Sequence, residues 1–156
     1  MVTKFANYQL DDEPTRVDRD AVWSFLAEQA YWGRWRTRLD VERQLDSAWR
    51  LVGVYEAGSG GRMVGFARAI SDGVAFAYLA DVYVETTARG RGLGKELVRF
   101  MIECGRGASF RWSLHTADAH GLYEQFGFAP PDHTYLERPA HWPGDFPSAG
   151  HSRTRS

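Results

Sequence analysis

Arg89-Gly90-Arg91-Gly92-Leu93-Gly94 stands between an apolar run, Tyr78 to Val84, and a segment whose apolar residues recur at helical spacing from Leu93. The run reads as a buried strand and the segment as an amphipathic helix. Glycines and arginines at a strand-to-helix junction make a cradle for an anion. Glycine lets backbone amides approach a ligand closely, and a helix N-terminus offers unpaired N–H donors and partial positive charge. A phosphate-bearing ligand is expected there. The common nucleotide fingerprints fail on spacing. A Walker-type loop needs Gly-Lys followed by Ser or Thr, but Gly94-Lys95 is followed by Glu96, and Arg89 stands where its first glycine belongs. A dinucleotide fingerprint needs a last glycine where Lys95 stands. On spacing alone an ordinary turn stays open.

Around this junction the chain alternates between strand and helix patterns. Phe5 to Leu10 is expected as a first strand, and Asp18 or Asp20 caps a helix carrying Val22, Phe25, Leu26 and Ala30 on one face. Gly33 breaks that helix, and Asp40 starts a second one with Val41, Leu45, Ala48 and Trp49 along one side. Leu51 to Glu56 and Met63 to Ile70 read as strands joined by the glycine-rich loop Ala57 to Gly61, and Val74 to Val84 as a long strand. That last strand is apolar on both faces, as a covered central strand is. Leu93, Leu97, Phe100, Met101 and Cys104 form the stripe that covers one face of it.

The chain of 156 residues, 44% hydrophobic and 14% aromatic, suits one packed core. Residues 1–142 are expected to form a single domain and 143–156, rich in Gly, Pro, Ser and Arg, a loose tail. A net charge of −1 gives no bulk attraction to nucleic acid or to an anionic membrane. No apolar run has membrane-spanning length, and the N-terminus lacks a signal-peptide core, so a cytoplasmic protein is expected. The single cysteine, Cys104, excludes an internal disulfide and reads as a buried structural thiol. No metal site is read.

A second motif follows the expected strand Arg111 to Thr116: Leu122-Tyr123-Glu124-Gln125-Phe126-Gly127-Phe128. Gly127 is placed to stop a short helix in a left-handed cap, and Phe128 to restart an extended segment. The Arg-x-x-Gly-x-Gly spacing of residues 89–94 resembles the acyl-CoA pyrophosphate loop of the GNAT acyltransferase superfamily. The 122–128 run resembles the helix and strand that close the cofactor site in those enzymes. The resemblance extends over Phe5 to Leu136, with its specific motifs at residues 78–95 and 116–128. It implies a mixed α/β GNAT fold, a mostly antiparallel sheet flanked by helices. A V-shaped cofactor cleft would lie between the central strand and the next.

The resemblance also implies an activity: N-acetyl transfer from acetyl-CoA to a primary amine of a small molecule or peptide. A non-catalytic acyl-CoA-binding module of the same fold is the alternative. In such enzymes the cofactor's pantetheine pairs with the central strand, here Val82, Tyr83 and Val84. One of the valine amides would also face the thioester oxygen. The pyrophosphate would rest on amides of Arg89, Gly90, Arg91, Gly92, Leu93, Gly94 and Lys95. Tyr123 matches the tyrosine that protonates the leaving thiolate, and a phenol with pKa of about 10 is protonated at neutral pH.

The general base is open among Asp81, His115 and water. Tyr78 lies near the position where some relatives carry a glutamate base. Strict alternation puts it on the face of Val82 and Val84, with Asp81 pointing away. Thr116 stands where many relatives have an asparagine. Asp118 reads as either its substitute or a helix N-cap, and His120 as a surface residue. Tyr31, Trp32 and Trp35, in the link between the first two helices, are expected to border the amine pocket together with Tyr78 and His115. Interleaved Arg34, Arg36 and Arg38 suit a carboxylate-bearing acceptor. Glu28, Asp40, Glu42 and Asp46 nearby argue against nucleic acid. The oligomeric state is open, a homodimer included.

Overall fold

The computed structural model describes residues 1–31, 34–58 and 60–140. Six strands form one sheet in chain order. They are β1 (Val2–Phe5), β2 (Tyr8–Asp11), β3 (Arg50–Glu56), β4 (Met63–Ser71), β5 (Phe76–Val84) and β6 (Arg111–Ser113). Neighbours run antiparallel except β5 and β6, which are parallel. A parallel pair needs a crossover, and α3 (Leu93–Glu103) supplies it. Helices α1 (Arg19–Glu28) and α2 (Arg38–Asp46) come between β2 and β3, and α4 (His120–Glu124) follows β6. This is the mixed α/β, mostly antiparallel layout expected.

Each face of the sheet has its own core. Val52, Val54, Val64, Leu79 and Val84 pack under Leu93, Leu97, Phe100 and Met101 of α3. On the other face Leu51, Tyr55, Phe66 and Tyr83 meet Val22, Phe25 and Leu26 of α1 and Val41 and Leu45 of α2. Tyr83 stacks on Phe25 with ring centroids 3.8 Å apart and planes 8° from parallel. A glycine inside a helix costs about 1 kcal/mol relative to alanine. In α3 the six buried apolar residues, each worth about 1.5–3 kcal/mol, outweigh Gly94. Glycine at this helix start is therefore tolerated rather than favoured by the fold, which points to a demand on its backbone.

Several boundaries differ from the sequence reading, each for a local reason. Phe5 to Leu10 is not one strand: the chain reverses at Ala6, which has φ of 49°, and Phe5 pairs with Tyr8 in a β1–β2 hairpin. Asp18, rather than Asp20, caps α1 by accepting the Ala21 amide at 2.9 Å. Helix α1 ends at Glu28, and Gly33 lies outside the described residues. Thr37 caps α2 in a reciprocal box with Asp40, so the helix starts two residues before the expected Asp40. It ends at Asp46, which removes Trp49 from its face. Trp49 instead donates its amide to the Ala69 carbonyl at 3.0 Å and sets its ring against Phe110 and Trp112. Strand β5 begins at Phe76 rather than Val74, because the Asp72 carboxylate holds the amides of Val74, Ala75 and Phe76 in a turn.

Gly127 ends α4 as expected, with φ of 82° and the Phe128 amide returning to the Tyr123 carbonyl. The extended strand expected from Phe128 does not form among the described residues, where Pro130 and Pro131 remove two successive donors. Residues 143–156, expected as a tail, lie outside the described residues. Cys104 is half-buried beside the α3 core and accepts a hydrogen bond from Arg99 at 3.4 Å.

The largest departure is in β5. Phe66 opposes Tyr83 while Arg68 opposes Ala80, so Asp81 and Val82 together stand against Ala67 alone. Asp81 adopts φ of 53°, a left-handed conformation that aspartate tolerates better than most residues. This β-bulge reverses the parity of the strand. Leu79 joins Val82 and Val84 on the α3 side. Tyr78, expected on the valine face, turns instead to the side of α1 and α2.

Candidate active site

Strand β6 pairs with β5 only over Phe76–Arg111, Ala77–Trp112 and Tyr78–Ser113. Beyond Tyr78, among the described residues, no strand pairs with that edge of β5 from Leu79 to Val84. The Glu85 amide donates to the Val64 carbonyl at 2.8 Å. By antiparallel alternation Tyr83 therefore directs its backbone toward β4, and Val82 and Val84 direct theirs into the opening. The Val84 carbonyl is met there by Arg89 Nε at 2.9 Å. A cleft of about 340 Å³ lies against this stretch. It is floored by Val82, Tyr83 and Val84, and walled by Gly90, Gly92, Leu93 and Gly94 on one side and Ala119, Leu122 and Tyr123 on the other.

The glycine loop lies at one end of this cleft. Gly90 and Gly92 both have φ of 77°, so the chain there turns through a left-handed geometry that a side chain would strain. Added Cβ atoms at Gly90 and Gly94 would meet nothing within 4 Å, so the space beside these backbones is open. A helix leaves the first amides of its N-terminus without intrahelical partners, and such a terminus favours an anion. The arginine side chains serve the loop itself. Arg89 braces the end of β5, and Arg91 donates to the Tyr8 hydroxyl at 2.6 Å. Lys95 is exposed on the first turn of α3.

Tyr123 closes the opposite wall from α4. It is 8% exposed, and burial first, then the negative charge of Asp118 and the neighbouring Tyr31, push its phenol up to about 12. The neutral, proton-carrying form is thus strongly favoured at physiological pH. Its ring packs edge-on against Phe128 at 5.8 Å. Thr116, rather than the expected Asp118, holds the start of α4, its hydroxyl accepting the Ala119 amide at 3.0 Å.

Asp81, one of the candidate bases, is committed elsewhere. Its carboxylate receives both terminal nitrogens of Arg36, at 2.8 and 2.9 Å, and Nε of Arg68 at 2.9 Å. Burial alone raises its pKa, but the hydrogen bonds and charges of Arg36 and Arg68 outweigh that and hold it below the usual range. A carboxylate so held is a poor proton acceptor. The pairing also removes Arg36 from the acceptor role suggested for it, and Arg38 is tied to Asp20 and Glu42. Arg68 stood out in the sequence as one charge in the apolar run Met63 to Ile70, and that was the available signal for a buried ion pair.

Of the expected acceptor residues, Tyr31 lies near enough to Tyr123 to affect its ionisation, and is half exposed. Trp35 is also largely exposed and lies beside the Arg36 guanidinium at 5.5 Å. Trp32 falls outside the described residues. Tyr78 and His115 do meet: the phenol oxygen is 2.8 Å from Nδ1. Glu137, which the sequence gave no reason to single out, is 2.9 Å from Nε2 of the same ring. His120 is exposed on α4.

A larger hollow of about 500 Å³ lies at the other end of α3, among Asp12, Trp49, Arg50 and Gly105. Several of its charges are paired: Arg50 binds Asp12 and the carbonyls of Met101 and Cys104, and Arg19 binds Glu42 and Asp46. Size does not decide function here. The smaller cleft is the one where backbone donors and a protonated phenol converge.

A family model described as an acetyltransferase (GNAT) domain matches residues 48–130. A solved structure from Xanthomonas campestris pv. campestris, described as belonging to the GNAT family, is similar at a TM-score of 0.76 and 33% identity, over 85% of this chain and 93% of its own. A protein assigned as an acetyltransferase from Deinococcus radiodurans R1 gives 0.65 at 26% identity, over 88% and 94%. Glucosamine-6-phosphate N-acetyltransferase from Arabidopsis thaliana, at 14% identity and a TM-score of 0.60 over 87% and 99%, shares the fold alone. No curated protein matches the sequence. Among the described residues no helix is long and apolar enough to cross a membrane. The family match takes in the open edge of β5, the glycine loop and Tyr123 together, and the chain belongs to the GNAT acetyltransferase family.

Proposed function

We propose that the protein transfers an acetyl group from acetyl-CoA to a primary amine on a small molecule or peptide. The observation that carries this reading is the convergence, on one cleft, of the β5 stretch Val82 to Val84, a glycine-lined helix start and a buried neutral tyrosine. Acetyl-CoA would supply the thioester: the amine nitrogen bonds to the acetyl carbon, the C–S bond breaks and CoA thiolate departs. The amides of Gly90 to Lys95 receive the pyrophosphate, and the outward backbone of Val82 and Val84 pairs with the pantetheine arm. One of those two amides donates to the acetyl oxygen as negative charge grows on it. Tyr123 gives its proton to the departing sulfur and regains one from the acylated nitrogen, so the products are the amide and free thiol. The face of α1, α2 and Tyr78 receives the amine.

Gly94→Asp tests the cofactor placement without straining the backbone. The position has open space, and a carboxylate in the first turn of a helix is mildly stabilising. The same carboxylate stands where the pyrophosphate binds. CoA at a hundredfold excess over its Kd raises the stability of the parent by about 2.7 kcal/mol through mass action. In the variant the thermal shift disappears while the ligand-free melting temperature holds. Equal shifts in the two proteins would move CoA out of this cleft. Release of free thiol from acetyl-CoA across a panel of amines then separates catalysis from binding alone.

A further inference from the structure

We infer that Tyr78, His115 and Glu137 form a relay that takes the proton from the acceptor ammonium, with His115 as its base. The inference rests on the acetyl-transfer reading above, which starts from a neutral amine and leaves the extra proton of the acceptor ammonium unassigned.

The three groups come from three separate segments: β5, the chain just past β6, and the coil after α4. Tyr78 Oη lies 2.8 Å from His115 Nδ1, and Glu137 Oε2 lies 2.9 Å from His115 Nε2. A carboxylate only accepts hydrogen bonds, so Glu137 requires the proton on Nε2. Nδ1 is then the lone-pair nitrogen, and it accepts from the Tyr78 hydroxyl. The phenol oxygen keeps its own lone pairs for an N–H donor. Each polarity in the chain is thereby set, and all of it points from an ammonium toward the imidazole.

The location suits the task. Tyr78–Ser113 is the last pairing of β5 with β6, four residues before the Val82–Val84 stretch that lines the cleft. The bulge at Asp81 turns Tyr78 to the face away from α3, which is the amine side. Tyr78 is held neutral by burial, reinforced by the charges of Glu137 and Asp81 and by Tyr135. Two neighbouring groups do not compete for its proton. Tyr135 contacts Glu137 at 3.5 Å, and Asp81 across β5 is bound by Arg36 and Arg68. The His115 side chain is 56% exposed, which gives the proton a route to water.

In the step, an ammonium N–H proton passes to Tyr78 Oη as the phenol's own proton passes to Nδ1. The products are a neutral amine, an intact phenol and an imidazolium facing the Glu137 carboxylate. The imidazolium then returns its proton to solvent. No other reactant is needed.

The test uses acetyl-CoA and the best acceptor from a panel of primary alkylamines, with Tyr78→Phe, His115→Gln, the double variant and Glu137→Gln. Loss of a general base lowers kcat at pH 7 by about 10²-fold or more. Either single variant is expected to show that loss with CoA affinity unchanged. The double variant loses no more than one of them, because they act as a unit. Glu137→Gln loses less, in the same direction. The deficit shrinks as pH approaches about 10, where an alkylamine begins to deprotonate without help. Nitrogen-15 spectra of the parent are expected to show the Nε2–H tautomer of His115.

Variants with the parent's kcat, a loss independent of pH, or an Nδ1–H tautomer would each overturn the relay while leaving acetyl transfer intact. A parent that binds CoA but releases no thiol with any amine overturns both.

Discussion

Tyr123→Phe lowers kcat by about 10² to 10⁴-fold, the usual contribution of a positioned general acid. The substitution removes one hydroxyl and keeps the ring that packs against Phe128, so folding and CoA affinity stay near those of the parent. The ionisation state adds a second expectation. An ordinary tyrosine loses its proton near pH 10, but burial, Asp118 and Tyr31 push Tyr123 up to about 12. The phenol therefore remains a donor through pH 10, and the deficit of the Phe variant should stay level from pH 7 to 10. Thioesters of more acidic thiols need less protonation to depart, and for them the deficit should narrow. Steady-state rates of the two proteins over that range check both points. A Phe variant with the parent's kcat would make Tyr123 a packing residue.

Asp81→Asn destabilises the protein by about 3–5 kcal/mol, because it removes the carboxylate that binds two buried guanidiniums. Arg36 and Arg68 are 6% and 5% exposed, so water cannot take the place of the carboxylate. Asparagine keeps the shape and tolerates the left-handed backbone, which isolates the effect of charge. At roughly 2–4 °C per kcal/mol for a chain of this size, the melting temperature falls by about 10 °C. The sign with pH is fixed by the lowered pKa. The folded carboxyl titrates below its usual 3.8, so its contribution is fully present above that value and is lost as pH falls through the folded value. The gap between parent and variant therefore begins to narrow only below about pH 4 and closes as pH passes the lower, folded value. Replacing Arg68 with Met in the Asn background restores part of the loss by removing an unmatched charge. An Asn variant as stable as the parent at pH 7 would mean that the bulge is not held by this ion cluster.

What was legible in the sequence is what depends on near neighbours in the chain. Gly127 takes the positive φ of the left-handed cap that its place suggested, and the Leu93–Met101 stripe faces the core as its period required. The β5 bulge was invisible for the opposite reason. Its partners Arg68 and Arg36 lie 13 and 45 residues away, and only the folded sheet brings them to Asp81. Alternation therefore assigned Tyr78 to the wrong face. The His115–Glu137 contact spans 22 residues and joins two exposed segments, so neither periodicity nor composition marked it. The β1–β2 hairpin was missed because Ala6, which normally avoids its observed φ, gives no turn signal.

The central claim is that the cofactor lies along the open edge of β5 and against the start of α3. Titrating CoA into nitrogen-15-labelled protein and following each backbone amide tests it most directly. The account predicts that Val82, Val84, Gly90, Gly92 and Gly94 shift together and saturate at one affinity, with Leu122 and Tyr123 following across the cleft. Shifts confined to Trp49, Arg50 and Gly105 around the larger hollow, or no shift at all, would contradict it.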